Sequence, residues 1–373
     1  METATRYLAA QTKEDLKKKM VFLCGPRQVG KTTMAKSLLS RQSKGYLNWD
    51  IPHDREKILK RELPAVDFWV FDEIHKYKGW RNYLKGIYDQ FERKKKILVT
   101  GSAQLDYYRR GGDSLQGRYH FLRLHPLSVA ELGIASQKDF MELLTLGGFP
   151  EPFFSSSAVE SKRWSMEYRS RLIAEDIVSL ENISDLGNLE LLLINLPRYV
   201  SSPLSLNSLR EDLQVAHKTV SKWLQIFERL YAIFRLSPFG AKGLRAIKKG
   251  QKHYHFDWTL VKDDGPRFEN MVALHLLKWA HYMQDTRGRE VEVKYFRDID
   301  GREVDFVVEE EGRPATFIEC KWSDAEISNG LRYMKNKFPD ADFYQISAAG
   351  QKDYLSAENI RVCPAVLYLK GLV

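Results

Sequence analysis

Between residue 20 and about residue 130, short apolar runs alternate with polar, helix-like segments. The runs are MVFLC (20–24), YLNW (46–49), DFWVF (67–71), KILVT (96–100) and HFLRL (120–124), each bounded by Gly, Pro or charge. Segments such as WRNYLKGIYDQFERKKK lie between them. Near-continuous apolar runs are how parallel strands read when helices cover both faces of their sheet. The pattern predicts an α/β, doubly wound unit. LGGFPEPFFSSSA (146–158) then concentrates Gly, Pro and Ser, and a domain boundary near 155 is expected there.

From about 160 to 235 the apolar positions fall at three- to four-residue spacing, as in LELLLINLPRYV and TVSKWLQIFERLYAIF. RLSPFGAKGLRAIKKGQKHYHFDW follows as strand, basic turn, strand. Helices succeeded by a hairpin predict a winged helix-turn-helix, with 219–230 as its second helix. The last third opens on the helical RFENMVALHLLKWAHYM (267–283) and continues with strand-like EVEVKYF, EVDFVVE and ATFIECKW, an α+β pattern. Three domains are expected: 1–155, 156–262 and 263–373.

The chain has 373 residues, of which 43% are hydrophobic and 29% charged, which excludes wholesale disorder. No apolar stretch approaches the roughly 18–20 residues needed to cross a bilayer, and the N-terminus lacks the apolar core of a signal peptide, so a cytoplasmic protein without membrane attachment is expected. Three scattered cysteines, Cys24, Cys320 and Cys363, argue against a disulfide framework or a zinc site. The net charge of +9 is unevenly spread. Residues 1–160 hold 27 Lys+Arg against 19 Asp+Glu, 161–260 hold 15 against 10, and 261–373 hold 16 against 20. A phosphate-binding surface is therefore expected in the first two thirds.

The strongest chemical signal is GPRQVGKTT, comprising Gly25, Pro26, Arg27, Gln28, Val29, Gly30, Lys31, Thr32 and Thr33. It matches G-x-x-x-x-G-K-[ST] and sits between an apolar strand and a helix, where a phosphate-binding loop must sit. Gly25 and Gly30 let the backbone wrap phosphate oxygens, and the helix N-terminus supplies amides. Lys31 is expected to reach the β- and γ-phosphates of ATP, and the Thr32 hydroxyl to ligate Mg²⁺. DFWVFDEIH adds a buried strand ending in two carboxylates: Asp72 is assigned to the metal and Glu73 to the base that polarises the attacking water. Thr100, at the end of the next strand, is placed to hydrogen-bond the water or γ-phosphate, although a plain turn would read the same. Arg118 is the candidate arginine finger, in cis or in trans.

In the last third, Asp305 lies on one strand and Glu319 and Lys321 share a face of the next. Together with Glu269 on the preceding helix, Asp305 and Glu319 could hold a second Mg²⁺ or Mn²⁺ beside the Lys321 ammonium. A half-exposed sheet with cross-strand ion pairs gives the same pattern. The helix at 219–230 and the turn after it offer Lys218, Thr219, Ser221, Lys222, Lys248 and Lys249 as contacts for double-stranded DNA. Winged helices in multidomain ATPases also serve purely as packing units.

GPRQVGKTT, FDEIH, VTGSAQ, SLQGRYHFLRLHPLS and LGGFPEPF, in this order, resemble the prokaryotic AAA-type ATPases that carry a C-terminal domain of unknown function. YHFDWTL, FENMVALHL, EVDFVV and ECKW resemble the C-terminal region of that family, which is similar to the archaeal ATPases of the signal-transduction NTPase group. The resemblance spans nearly the whole chain. It implies an α/β P-loop NTPase domain (AAA-type, parallel sheet), then a winged helix-turn-helix, then an α+β PD-(D/E)xK restriction-endonuclease-like domain. By position it implies nucleotide roles for Gly30, Lys31, Thr32, Asp72 and Glu73, and a nuclease-like site of Glu269, Asp305, Glu319 and Lys321. The expected function is an ATP-hydrolysing molecular switch that exchanges ATP and ADP, uses Mg²⁺, forms a homo-oligomer and acts on or near DNA. The alternatives are an ATP-regulated, metal-dependent DNA endonuclease and a non-nucleolytic regulatory ATPase.

Overall fold

The computed structural model describes residues 5–39, 44–91, 94–101, 115–173, 185–240 and 250–373. They form two compact units, Met1–Pro126 and Leu127–Val373. The first ends ahead of the Gly-, Pro- and Ser-rich stretch where the sequence suggests a boundary.

In the first unit the five apolar runs become β1 (Met20–Cys24), β2 (Tyr46–Asn48), β3 (Phe68–Asp72), β4 (Lys96–Thr100) and β5 (Tyr119–Arg123). All their pairings are parallel, in the order β2-β3-β4-β1-β5. The helices are α1 (Ala9–Asp15), α2 (Lys31–Leu38), α3 (Pro52–Lys60) and α4 (Trp80–Gln90). Alternate strand residues, Phe22, Cys24, Trp69, Phe71, Ile97 and Val99, pack with Ile58 of α3 and with Trp80, Leu84 and Ile87 of α4. The residues between them, Val21, Leu23, Val70 and Leu98, are also buried and face the other way; α1 and α2 pack against these strands. Burial on both faces is the physical reason the strands read as unbroken apolar runs. This is the parallel-sheet P-loop NTPase architecture expected of the N-terminal region. Because the chain leaves β1 for the far edge and later crosses it to reach β5, the carboxyl end of β1 lies at the point where such sheets open a ligand crevice.

The second unit begins with α5 (Gln137–Leu146), α6 (Pro150–Phe154), α7 (Ala158–Arg171), α8 (Leu186–Asn195), α9 (Leu206–Leu213) and α10 (His217–Arg229). The strands β6 (Ile233–Pro238) and β7 (Lys252–His255) pair antiparallel after them. The 24-residue α11 (Asp264–Arg287) leads into β8 (Val291–Arg297), β9 (Glu303–Glu310) and β10 (Arg313–Lys321). Then come α12 (Asn329–Lys337), β11 (Asp342–Ser347), β12 (Tyr354–Leu355), β13 (Arg361–Pro364) and α13 (Ala365–Leu369). The eight strands form one sheet in the order β12-β13-β11-β10-β9-β8-β6-β7. The hairpin expected to belong to a separate winged domain thus joins the sheet of the final third, β6 pairing parallel with β8. Val304, Val307, Phe317, Leu331, Met334 and Phe343 pack α12 against the sheet. Among the described residues, no helix is long and apolar enough to cross a membrane.

Candidate functional site

β1 runs straight into the loop that the sequence marks for phosphate. Gly25 adopts φ +143°, and a Cβ there would lie 2.1 Å from the Leu124 carbonyl oxygen, so glycine is the residue that lets the chain leave the sheet at this point. Gly30, at φ +95°, is the N-cap of α2 and aims the amides of the first turn toward the loop. The Lys31 ammonium folds back over this loop and donates to Gly25 O at 3.0 Å and Pro26 O at 2.6 Å. Burial holds its pKa below the ordinary lysine value, only partly offset by Glu73, Cys24 and Asp72. The loop is also strapped from behind. The Arg6 guanidinium donates to the Val29 carbonyl and, at 2.5 Å, to His125 O. Nothing in the local pattern of the sequence singles out Arg6, because its partners lie far along the chain.

The structure brings Thr32, Asp72 and Thr100 together. Asp72 ends β3, in register with Thr100 of β4 and Asn48 of β2. Its Oδ1 accepts from Thr100 Oγ1 at 2.6 Å, and its Oδ2 from Thr32 Oγ1 at 2.8 Å and Tyr46 OH at 2.7 Å. Thr100 is therefore a buried strand residue aimed at the carboxylate, and not part of a turn. Glu73 follows in the left-handed region at φ +57°, which turns its side chain out of the strand direction. Burial raises its pKa, and Lys76 at 3.4 Å works against that shift. His75 lies 3.7 Å from Glu73 and is pushed down by burial to about 4.

The structure does not give Arg118 the in-cis placement expected of it. β1 and β5 are parallel, with Met20 opposite Tyr119, so the residue before β5 lies at the edge of the sheet opposite the loop that follows β1. Its guanidinium forms a two-pronged pair with Asp89 on α4, Nε to Oδ1 at 2.9 Å and Nη2 to Oδ2 at 3.1 Å. It is not brought to the phosphate loop of its own chain. The neighbouring Arg109 and Arg110 lie outside the described residues.

In the second unit, Ile318 stands opposite Phe306 in the β9–β10 pair, which brings Asp305 beside the Glu319–Lys321 segment. The Cys320 amide donates to Asp305 Oδ2 at 2.8 Å, and Lys321 Nζ to Glu319 Oε1 at 2.8 Å. Glu269 of α11 accepts from Tyr254 OH at 2.7 Å. Burial, with Glu269 and Glu319 nearby, raises the Asp305 pKa well above the usual carboxylate range, and burial also raises that of Glu319. Among the described residues, no group of three or more His, Cys, Asp or Glu side chains is arranged to hold a metal ion. Lys252, on the strand after the basic turn, lies among these carboxylates. It is fully buried on β7 and reaches Glu303 Oε1 at 2.6 Å and Glu269 Oε1 at 3.3 Å. On α10, Lys218 and Lys222 are exposed and Thr219 and Ser221 half-buried, while Lys248 and Lys249 lie outside the described residues.

Comparison with known proteins matches three successive regions of the chain. Residues 17–133 match the AAA domain family, 137–262 a domain of unknown function (DUF8612) and 264–368 a domain of unknown function (DUF4143). An uncharacterized protein of Mycobacterium tuberculosis is 24% identical over 324 residues, 84% of this chain and 73% of its own length. One from Haemophilus influenzae is 22% identical over 279 residues, 68% of this chain and 66% of its own. Among solved structures, the Aeropyrum pernix ORC1 protein in complex with DNA aligns with a TM-score of 0.33 at 15% identity, covering 72% of this chain and 92% of that one. A signal-transduction ATPase with a tetratricopeptide repeat sensor from Pyrococcus horikoshii aligns with a TM-score of 0.22 at 14% identity, covering 74% and 47%. The phosphate loop, the carboxylate at the end of β3 and the family match agree that the N-terminal region of this chain is an AAA-type P-loop ATPase domain.

Proposed function

We propose that the chain is an ATP-binding and ATP-hydrolysing molecular switch whose second unit reads out the nucleotide state. The observation that carries this is the convergence on Asp72 of hydroxyls from the phosphate loop (Thr32) and the neighbouring strand (Thr100), with Glu73 next in sequence and Lys31 at the head of α2. A hydroxyl and a carboxylate 2.8 Å apart are the hard oxygen donors that suit Mg²⁺, so Thr32 and Asp72 would hold it. Bound there, Mg²⁺ would neutralise charge on the β- and γ-phosphates. Lys31 now spends its hydrogen bonds on two carbonyls of its own loop and sits desolvated. Phosphate oxygens would replace these acceptors and supply the counter-charge it lacks. Glu73 orients the attacking water and accepts its proton, and its raised pKa brings the base closer to working pH. Substituting Lys31→Ala is expected to abolish ATP binding and turnover, measured by nucleotide fluorescence titration and phosphate release. Turnover at the wild-type rate would remove the loop from the reaction.

For the remainder of the chain we infer a module that works on or near double-stranded DNA through α9 and α10, with the last third serving as a non-nucleolytic, partner-binding fold. The buried Lys252 among Glu269, Glu303 and Asp305 favours this over the metal-dependent endonuclease. The endonuclease predicts Mg²⁺- or Mn²⁺-dependent DNA cleavage that Asp305→Ala and Lys321→Ala abolish. The reading preferred here predicts intact DNA with every variant.

A further inference from the structure

The second unit gathers Glu269, Glu303 and Asp305 around one ammonium, that of Lys252, with Glu319 paired to a second, that of Lys321. Lys252 Nζ lies 2.6 Å from Glu303 Oε1, 3.3 Å from Glu269 Oε1 and 4.0 Å from Asp305 Oδ1. The side chain is fully buried and passes 5.2 Å from the centre of the Tyr295 ring. A buried ammonium is costly unless carboxylates surround it, and here three do. Burial alone would lower the Lys252 pKa; Glu269, Asp305 and Glu303 more than offset it and hold the side chain charged. Divalent cations draw carboxylate oxygens to within about 2.0–2.6 Å, whereas the oxygens here are spaced around an N–H donor. One of them, Glu269 Oε1, also accepts from Tyr254 OH, and the other oxygen of Asp305, Oδ2, accepts from the Cys320 amide. One oxygen of the cluster, Glu319 Oε2, is buried without a hydrogen-bond partner. With four carboxylates and the two ammoniums of Lys252 and Lys321, the fully ionised cluster keeps an excess of negative charge. Removing Lys252 would enlarge that excess at oxygens already gathered in one place.

We propose that Lys252 is the resident cation of this cluster, standing in the charge-compensating place of a divalent ion and keeping the nuclease-like module metal-free. The lysine comes from the hairpin that follows the helix-turn-helix segment, whereas the carboxylates come from α11, β9 and β10, so the strand that fills the site is not one of those that build it. The inference deepens the non-nucleolytic reading above. Its test reads Mn²⁺ binding and melting and not DNA cleavage, so the two can fail independently.

The test is Mn²⁺ binding by the full-length chain, followed by loss of the free-ion electron paramagnetic resonance signal, together with thermal melting in EDTA and in Mn²⁺. In the wild type, Glu319→Gln is expected to leave the number of bound Mn²⁺ ions unchanged. Lys252→Met is expected to melt several degrees lower in EDTA, to recover in Mn²⁺, and to gain a Mn²⁺ site that Lys252→Met/Glu319→Gln loses. A wild-type site that Glu319→Gln removes would overturn the proposal, as would a cooperatively folded Lys252→Met chain that gains no site. If Lys252→Met does not fold in either condition, the comparison of wild type with Glu319→Gln still decides, equal binding supporting the proposal and lost binding overturning it.

Discussion

Asp72 accepts hydroxyls from three elements, and the three are not equivalent. Thr32 belongs to the phosphate loop and Thr100 to β4, whereas Tyr46 reaches over from β2 at the edge of the sheet. Burial and the adjacent Asp72 hold the Tyr46 phenol well above its ordinary pKa, so it stays a donor. Tyr46→Phe removes one donor and leaves each carboxylate oxygen with a hydroxyl, which should cost about 1 kcal/mol of stability. Asp72→Ala strands all three hydroxyls and should cost about 3 kcal/mol by the same reckoning. Urea unfolding of the two variants measures the ratio, and equal losses would mean that the three bonds do not act as a shared network.

The elements of the first unit were legible in the sequence because a parallel strand buried on both faces is apolar throughout, and because the phosphate loop needs its glycines at fixed positions. Arg118 was not legible. The parallel direction of β5 carries it to the edge of the sheet away from the phosphate loop. The setting of Lys252 was not legible for a related reason. The carboxylates that surround it arrive from α11 and β9, later in the chain. Tyr46 and Arg6 likewise depend on pairings that no local pattern encodes. The amphipathic α10 was legible: Val220, Trp223, Leu224 and Phe227 are buried, while Lys218 and Lys222, four residues apart, share an exposed face. If that face follows a DNA backbone, Lys218→Ala/Lys222→Ala should reduce the slope of log affinity against log salt by about 2, since each phosphate contact contributes roughly 0.9. Fluorescence anisotropy of the full-length chain with duplex DNA across a KCl series measures the slope, and an unchanged slope would exclude this face.

For the molecule as a whole, buried histidines set how stability responds to acid. His75 in the first unit and His253 and His275 in the second are each pushed by burial to about 4, from 6.5. The geometry of His275 explains why its charged form is disfavoured. The Val129 amide donates to its Nε2 at 3.1 Å, and Nδ1 donates to Met271 O at 2.8 Å, so the ring is neutral and a second proton would set one N–H against another. A base with a lowered folded pKa binds its proton more readily when unfolded, so its contribution is present above about 6.5 and is lost as pH falls toward 4. For His275 the interval from 6.5 to about 4 corresponds to about 3 kcal/mol. Asp305 and Glu319 act in the opposite sense. Their folded pKa values are raised, so protonation favours the fold, and the stability they allow at low pH is lost as pH rises. The acid response of the whole chain is the difference between these terms, so the histidine contribution must be isolated by substitution. His275→Gln removes one titration and leaves the carboxylates in place. The stability gap between wild type and His275→Gln, measured by urea unfolding, should therefore narrow by about 3 kcal/mol between pH 7 and pH 4. A gap that stays constant across that range would mean that His275 does not enter the fold as the neutral ring its two hydrogen bonds require.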